Sequence, residues 1–548
     1  MSSVTLSFSQ ISNHLTTHFN NLCEIQLYDV KNAKLNSRHQ SLKKASPNAK
    51  IGNYYPRSIL FDYSNGTGSL DPFFYFQDSF NSDNFNFANE NILYTNKEKI
   101  SRPDYQKFID NPSLAPKDAN GNVKSIEPDR TIYFTDFSRV LYPPQNIILI
   151  KDYIFNDEIN TTEKIEKKPI ESTSRFESNF QIFGRGSSDI RNKNLDAKVS
   201  FSNQGRHRTS DLPFIGHQFG KEYFKDSHLL SESIENQIRL QFEDTDTLDH
   251  VNVVLELDSA WSGVTESVLS NLRDDLLDGK QSKVIIWSLM HSTDSNFNFS
   301  YQMKIDRMNA LMELQELAGS IIGLNVDLPV SKINSVFNRE SLNGLNMWET
   351  EAFHSIPFWF VNWLKNQGYT NELIHKLTDG GSRKYINSVK IEVENDQSEP
   401  TEIELGLNNF FPESNTGKRG KLKRRNKSVE RHIYSQAIIS SPIDDMLHKI
   451  KQDSIHSKFT KLSIKGTPNH LLNHYEAAYK FDSGLSSLPS YFKNHQFTSV
   501  SLSTKEMSWD GMALLAKSEE TREWVENGLE AYRWHDHYND TDEEAEEY

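Results

Sequence analysis

Val251-Asn252-Val253-Val254-Leu255-Glu256-Leu257-Asp258-Ser259-Ala260-Trp261-Ser262-Gly263-Val264 is the stretch on which the reading of this chain turns. Its first seven residues form a largely apolar run suited to a buried strand. From Gly263 to Leu277, Val264, Val268, Leu269, Leu272 and Leu276 fall on one face of a helix, and Val284-Ile285-Ile286-Trp287 returns to a strand pattern. Strand, helix and strand of this size predict a right-handed βαβ unit of a parallel sheet.

The same logic extends in both directions. Val4 to Ser9 alternates apolar and polar residues and predicts a strand, and Ile11, Leu15, Phe19 and Leu22 predict a helix directly after it. Further strands are predicted at Ser58-Ile59-Leu60-Phe61-Asp62, before the turn Asn65-Gly66-Thr67-Gly68, and at Ile147 to Lys151. Leu230, Ile234, Ile238 and Phe242 mark an amphipathic helix, and another spans Asp306 to Ala318. Residues 71–130 and most of 155–220 read as loops. Helical pieces are expected around 350–378, 441–451, 468–480 and 519–533.

The 548 residues carry 60 Lys and Arg against 75 Asp and Glu, a net charge of −15 with a pI near 5.7. That balance argues against a general nucleic-acid coat, which needs a positive field. Residues 418–431 hold eight Lys or Arg against Glu430, and the chain closes with seven acidic and no basic residues from Asp536. The two segments cancel, so the acidic charge belongs to the rest of the chain. The basic run is open to three readings: a solvated loop, a nuclear-import or nucleic-acid patch, or a contact for anionic lipid. It lacks interleaved aromatics for base stacking.

The mean hydropathy is −0.66, and the apolar stretch at Ile356 to Leu364 is about half of the roughly 20 residues a membrane span needs. Cys23 is the single cysteine, which leaves no internal disulfide or multi-cysteine zinc site and points to a reducing compartment. No Lys or Arg precedes Lys31, so the N-terminus resembles neither a signal nor a transit peptide. His207, His217 and His228 lack metal spacing, and with His535-Asp536-His537 they are expected to be solvated. No Walker A or Gly-x-Ser-x-Gly pattern is present.

Ligands of open α/β sheets bind beyond the carboxyl ends of the strands. Those ends lead to Ser9-Gln10-Ile11-Ser12-Asn13-His14, to Asp62, and to Asp258-Ser259-Ala260-Trp261-Ser262-Gly263 at a helix start. A helix start offers amides to a phosphate, but here Asp258 and Trp261 stand where backbone should approach an anion. Ser259 also suits a helix N-cap.

This order, with Tyr55-Pro56-Arg57-Ser58-Ile59-Leu60-Phe61-Asp62 and Glu232 to Leu257 leading into Trp261-Ser262-Gly263-Val264, resembles the tubulin/FtsZ nucleotide-binding domain. More closely it resembles the Misato family, tubulin-like proteins known in fungi for mitochondrial-DNA inheritance and mitochondrial partitioning. The aspartate, aromatic and Ser-Gly loop, and Phe353-His354-Ser355, carry that closer likeness.

The resemblance implies a tubulin/FtsZ-like α/β fold with long polar insertions and a mostly helical C-terminal region. It divides the chain into a Misato segment (1–118), an α/β domain (119–330, with an insertion near 155–220), an α-rich region (331–533, with the basic insertion 418–431) and an acidic tail (534–548). By matching positions it places Gln10 near the phosphates of a nucleotide, Asp62 near its magnesium, Ser262 and Gly263 at the end of the phosphate loop, and Asn309 at the guanine. Ser9 and Ser12 replace glycines, and Asp258 to Trp261 replace most of the glycine-rich run. A carboxylate and an indole there would obstruct a triphosphate, so these positions read as vestigial, with no catalytic residue and no cofactor. Asn325-Val326-Asp327 copies the Asn-x-Asp loop of tubulin-like GTPases but reads as a surface turn.

The function implied is non-enzymatic partitioning of mitochondria and inheritance of mitochondrial DNA through protein contacts, from the cytosolic face of the mitochondrion and the cytoplasm. Two alternatives stand beside it: a GTP-binding, polymer-forming GTPase, and a cytosolic factor for tubulin folding or assembly. The partners that separate these readings are mitochondrial surface proteins on one side and tubulin with chaperonin on the other. No direct nucleic-acid contact is expected, and any membrane contact would be peripheral, through 418–431.

Overall fold

The computed structural model describes residues 2–28, 41–44, 54–68, 133–140, 142–143, 146–150, 152–155, 205–207, 213–243, 245, 248–275, 283–292, 301–339, 345–365, 369–395, 398–410, 432–442, 472–485, 487–507, 515–516 and 518–532. The expectations for 71–130, 418–431, 441–451 and the acidic tail lie wholly or mostly outside these residues.

The first half runs β1 (Ser2–Phe8), α1 (Gln10–Tyr28), β2 (Leu42–Lys44), β3 (Tyr54–Pro56), β4 (Ser58–Tyr63), β5 (Ile147–Ile150), β6 (Tyr153–Phe155), β7 (Gly205–His207), α2 (His217–Asp226), α3 (His228–Glu243), β8 (Leu248–Glu256), α4 (Trp261–Asp275), β9 (Val284–Met290), α5 (Tyr301–Leu317) and β10 (Ser320–Asn325). There follow α6 (Val330–Phe337), α7 (Met347–Asn362), α8 (Tyr369–Leu377), β11 (Tyr385–Ile386), β12 (Ser388–Asn395), β13 (Ser398–Glu404), β14 (Ile433–Ser440), β15 (Leu472–Glu476), β16 (Gln496–Lys505) and α9 (Glu519–Tyr532).

Seven parallel strands form the main sheet in the order β11-β10-β9-β8-β1-β4-β5. The central strands β8 and β9 are buried almost throughout because both faces of the sheet are covered. Val4, Leu6, Phe8, Val284 and Ile286 face one core, shared with α2 to α5 and Val525 of α9. Val254, Ile285, Trp287 and Leu289 face the other, shared with α1, α6, α7 and α8. This is the expected tubulin/FtsZ-like α/β layering. The chain leaves β1 first toward β4 and later returns to pair β8 on the other side of β1. The crevice where such an order reverses is the usual place for a ligand.

The C-terminal third departs from the α-rich expectation. A five-stranded sheet, β13-β12-β16-β14-β15, packs one face on the second core through Val389, Ile391, Ile403, Ile439, Val500 and Leu502. A strand, β15, occupies 472–476 where a helix was expected over 468–480. These strands carry Lys390, Glu392, Glu402, Ser499 and Ser501 between their apolar residues, so short period-two runs are diluted by charge and read as polar loop. The helices expected near 350–378 and 519–533 are present as α7, α8 and α9.

Candidate functional site

The strand-end crevice is built from three loops. The first is the β1–α1 turn, where Ser9 holds a φ of 105°, a left-handed conformation that favours glycine. Its hydroxyl accepts from the Ser12 amide at 3.3 Å and lies 3.1 Å from the Ser12 hydroxyl. The left-handed backbone that glycine would favour in this turn is thus kept by a serine. Among the described residues no hydrogen bond occupies the amides of Gln10 and Ile11 at the start of α1.

The second loop carries Asp62, which is fully buried. Its carboxylate accepts from the Tyr63 amide at 2.7 Å and from Asn13 Nδ2 at 2.9 Å, and the Gln10 amide, oriented with its nitrogen toward Asp62, donates to it and to the Gly66 carbonyl. Burial pushes the Asp62 carboxyl up to about 7, against the pull of the Tyr63 and Asn13 donors. Gly66 closes over it: a Cβ there would stand 2.3 Å from Oδ1. Gln10 and Asp62, which the resemblance placed at the phosphates and at the magnesium, are here hydrogen-bonded to each other. A carboxylate ringed by donors is the reverse of the acceptor shell a divalent cation needs.

The third loop is filled. Trp261 is fully buried, its indole donates to the Tyr63 hydroxyl at 3.0 Å, and its ring packs 5.4 Å from Tyr63 and 5.2 Å from Phe214. The amides of Ala260, Trp261 and Gly263 are spent internally. Ala260 donates to the Phe214 carbonyl at 3.3 Å, Trp261 to the Ser259 hydroxyl at 3.3 Å, and Gly263 to the Ala260 carbonyl at 3.1 Å. Ser259 is the local cap its sequence suggested.

The helix α2 crosses directly over this start of α4. A Cβ on Gly263 would come within 1.9 Å of the His217 carbonyl, and one on Gly220 within 1.9 Å of the Ala260 carbonyl. Two glycines face to face are what let the helices approach. The Ser262 hydroxyl donates to the Ser259 carbonyl at 2.8 Å and sits 3.1 Å from His217 Nδ1, whose Nε2 is 3.0 Å from Glu313. His217 is thus buried in a helix contact and not solvated in a loop; His228 starts α3 and His207 lies in β7, while His535 and His537 are outside the described residues. Burial pushes the Glu313 carboxyl up, but the hydrogen bonds of His217 and Lys221 outweigh it and hold it down to about 2.

Asp258 is not an open carboxylate either. Arg307 on α5 grips it with Nε to Oδ1 at 2.7 Å and Nη2 to Oδ2 at 2.5 Å, and the His291 amide donates to Oδ2 at 2.9 Å. His291 in turn lies 3.3 Å from Asp327, which also accepts from the Ser292 amide at 2.9 Å. Burial pushes the His291 imidazole down, but the hydrogen bond and charge of Asp327, with Asp258 and Glu256, raise it above its ordinary value. Burial raises Glu256 to about 7. Asn325 Oδ1 accepts from the Asp327 amide at 3.0 Å, so Asn-Val-Asp is a turn that pins the β9 and β10 ends together.

Among the predicted site residues only Gln10 and Asp62 are hydrogen-bonded to each other; Ser262 bonds within its own loop and to His217 of α2, Gly263 bonds within its own loop, and Asn309 stands on α5. Asn309 is half-buried there, in the layer opposite α1, and no hydrogen bond among the described residues joins it to Gln10, Asp62, Ser262 or Gly263. The residue of α5 that reaches the strand ends is Arg307, which sequence reasoning passed over. A signal was present: Met303, Arg307, Ala310, Leu311 and Leu314 share the buried stripe, and an arginine on such a stripe requires a buried acidic partner. Among the described residues no set of three His, Cys, Asp or Glu side chains converges as a metal site.

Comparison with known proteins agrees with this architecture. Residues 2–111 match the Misato Segment II tubulin-like domain, and residues 202–358 match the Tubulin domain. Protein DML1 of Scheffersomyces stipitis is 24% identical over 485 residues, 83% of this chain and 87% of that protein. Protein DML1 of Candida albicans is 23% identical over 496 residues, 83% of this chain and 79% of its own length, and that of Debaryomyces hansenii is 28% identical over 316 residues, 57% and 55% of the two chains. With both tubulin-like segments matched in order on a parallel sheet of tubulin type, and relatives aligned along most of its length, these findings support the Misato/DML1 family of tubulin-like proteins as the family this chain is similar to.

Proposed function

We propose that this chain serves the partitioning of mitochondria and the inheritance of mitochondrial DNA as a non-hydrolysing tubulin-like scaffold acting through protein contacts at the cytosolic face of the organelle. The observation that carries the non-enzymatic part is Trp261, buried at the head of α4 with the loop amides already bonded to Phe214, Ser259 and Ala260. The mitochondrial part rests on the family resemblance. Calorimetry with GTP and a phosphate-release assay on the purified chain test the first: no turnover is expected, and micromolar binding with sustained hydrolysis would overturn it. Depleting the chain from its host cell tests the second, with loss of mitochondrial DNA expected and faithful segregation refuting it.

A second reading, GTP binding with polymer formation, is favoured by the open Gln10 and Ile11 amides and the retained Gln10–Asp62 pair. It requires Trp261 to leave its site, and it predicts GTP-dependent filaments that Asn309→Ala weakens. Affinity capture from cytosol separates the scaffold from a tubulin-folding factor: mitochondrial surface proteins are expected, and recovery of tubulin with chaperonin would favour the factor.

A further inference from the structure

Arg307 has a side chain only 1% exposed, and its guanidinium is shared among three separate stretches of chain. Nε and Nη2 hold Asp258 of the β8–α4 loop, Nη2 also donates to the His291 carbonyl at 3.0 Å, and Nη1 donates to the Phe410 carbonyl at 2.9 Å. Phe410 ends a segment that continues from β13 of the second sheet and runs antiparallel along the end of β10. There the Asn325 amide donates to the Leu405 carbonyl at 2.9 Å, the Leu407 amide donates to the Gly323 carbonyl at 3.2 Å, and Leu324 bridges Gly406. The Phe410 ring is seated on Gly323, where a Cβ would stand 2.4 Å from it, and meets Tyr385 edge-on at 5.5 Å.

We propose that Arg307 is a coupling latch that makes the loop at Asp258 and the segment 405–410 one mechanical unit, joining the strand-end crevice to the second sheet. The physical reason is the rigidity of the guanidinium fork. Its donors lie in one plane at fixed angles, so it satisfies all three stretches in a single orientation. If Asp258 is displaced, a buried cation is left uncompensated and must turn toward another acceptor. The same rotation withdraws Nη1 from Phe410. In the opposite sense, a partner that pulls on Phe410, the last described residue before the basic run 418–431, loosens the hold on Asp258 and His291.

Hydrogen exchange on the full-length chain tests the latch at two distant reporters, the His291 amide bonded to Asp258 and the Leu407 amide bonded to Gly323. In Asp258→Asn, exchange is expected to rise roughly tenfold at both, as the loss of a charged hydrogen bond implies. Arg307→Lys, which keeps the charge but not the fork, should do the same, and the double variant should go no further than either single one. Gly323→Ala approaches from the other side, displacing Phe410, and should speed exchange at His291. The latch is refuted if Asp258→Asn affects His291 alone, if Gly323→Ala affects Leu407 alone, or if the effects of Asp258→Asn and Arg307→Lys simply add.

Discussion

The indole of Trp261 donates its N–H to the Tyr63 hydroxyl across 3.0 Å, with both side chains fully buried. The head of α4 is thereby tied to the end of β4, across the strand order's point of reversal. Trp261→Ala is expected to cost about 3–5 kcal/mol, the transfer and cavity terms of a large buried aromatic. Tyr63→Phe, which orphans the buried indole N–H, is expected to cost about 1–3 kcal/mol. Urea unfolding measures both, and a Tyr63→Phe variant as stable as the parent would show that the bond does not hold the loop.

Gly263 sits in a helix, where Ala ordinarily stabilises by about 1 kcal/mol. Here the added methyl would meet the His217 carbonyl at 1.9 Å and the Lys221 amide at 2.7 Å, both backbone atoms of α2. Gly263→Ala is therefore expected to destabilise by about 1–3 kcal/mol as α2 is forced outward. A thermal melt decides the sign, and a higher melting temperature would contradict the close crossing.

Asp258→Ala leaves the Arg307 guanidinium buried without its counter-charge, for an expected loss of about 3–5 kcal/mol. Adding Arg307→Met removes the stranded cation and should recover a large part of that loss. The double-mutant cycle in urea measures the recovery. Additive losses would mean that the pair is not an energetic unit.

Asp62 and His18 pull the pH dependence of stability in opposite directions. Burial raises Asp62 from 3.8 to about 7, so between those values the native state keeps a proton that the unfolded chain has released, and stability falls as pH rises through the window. Burial, then the charge of His14, lowers His18 from 6.5 to about 3, so there the unfolded chain takes up the proton and stability falls as pH drops. Asp62→Asn removes the first effect only. Its stability relative to the parent should climb from pH 4 to pH 7, and a difference independent of pH would refute the raised Asp62 carboxyl.

Much of the main sheet was legible in sequence because its elements are long and apolar on a clear period. The strand, helix and strand at 251–287 appear as β8, α4 and β9, and Ile11, Leu15, Phe19 and Leu22 of α1 enter the second core as one face. The second sheet was not legible, since Lys390, Glu392, Ser499 and Ser501 on its outer face break the apolar signal. Asn309 was chosen by position within a motif, whereas Arg307, two residues earlier, carries the contact because of the direction in which α5 presents it.

The sequence by itself determined the parallel α/β framework, the succession of strand ends and the replacement of glycines at Ser9 and Asp258 to Trp261. It could register that an indole and a carboxylate stood at the strand end where the resemblance puts a phosphate loop, but not where they went. Only the tertiary structure decided that, because their partners come from distant parts of the chain: Tyr63 and Phe214 for Trp261, Arg307 and the His291 amide for Asp258. Local pattern encodes which face of an element is apolar. Whether a buried charge or ring closes a site depends on which other elements reach it, and that is settled only when the layers pack.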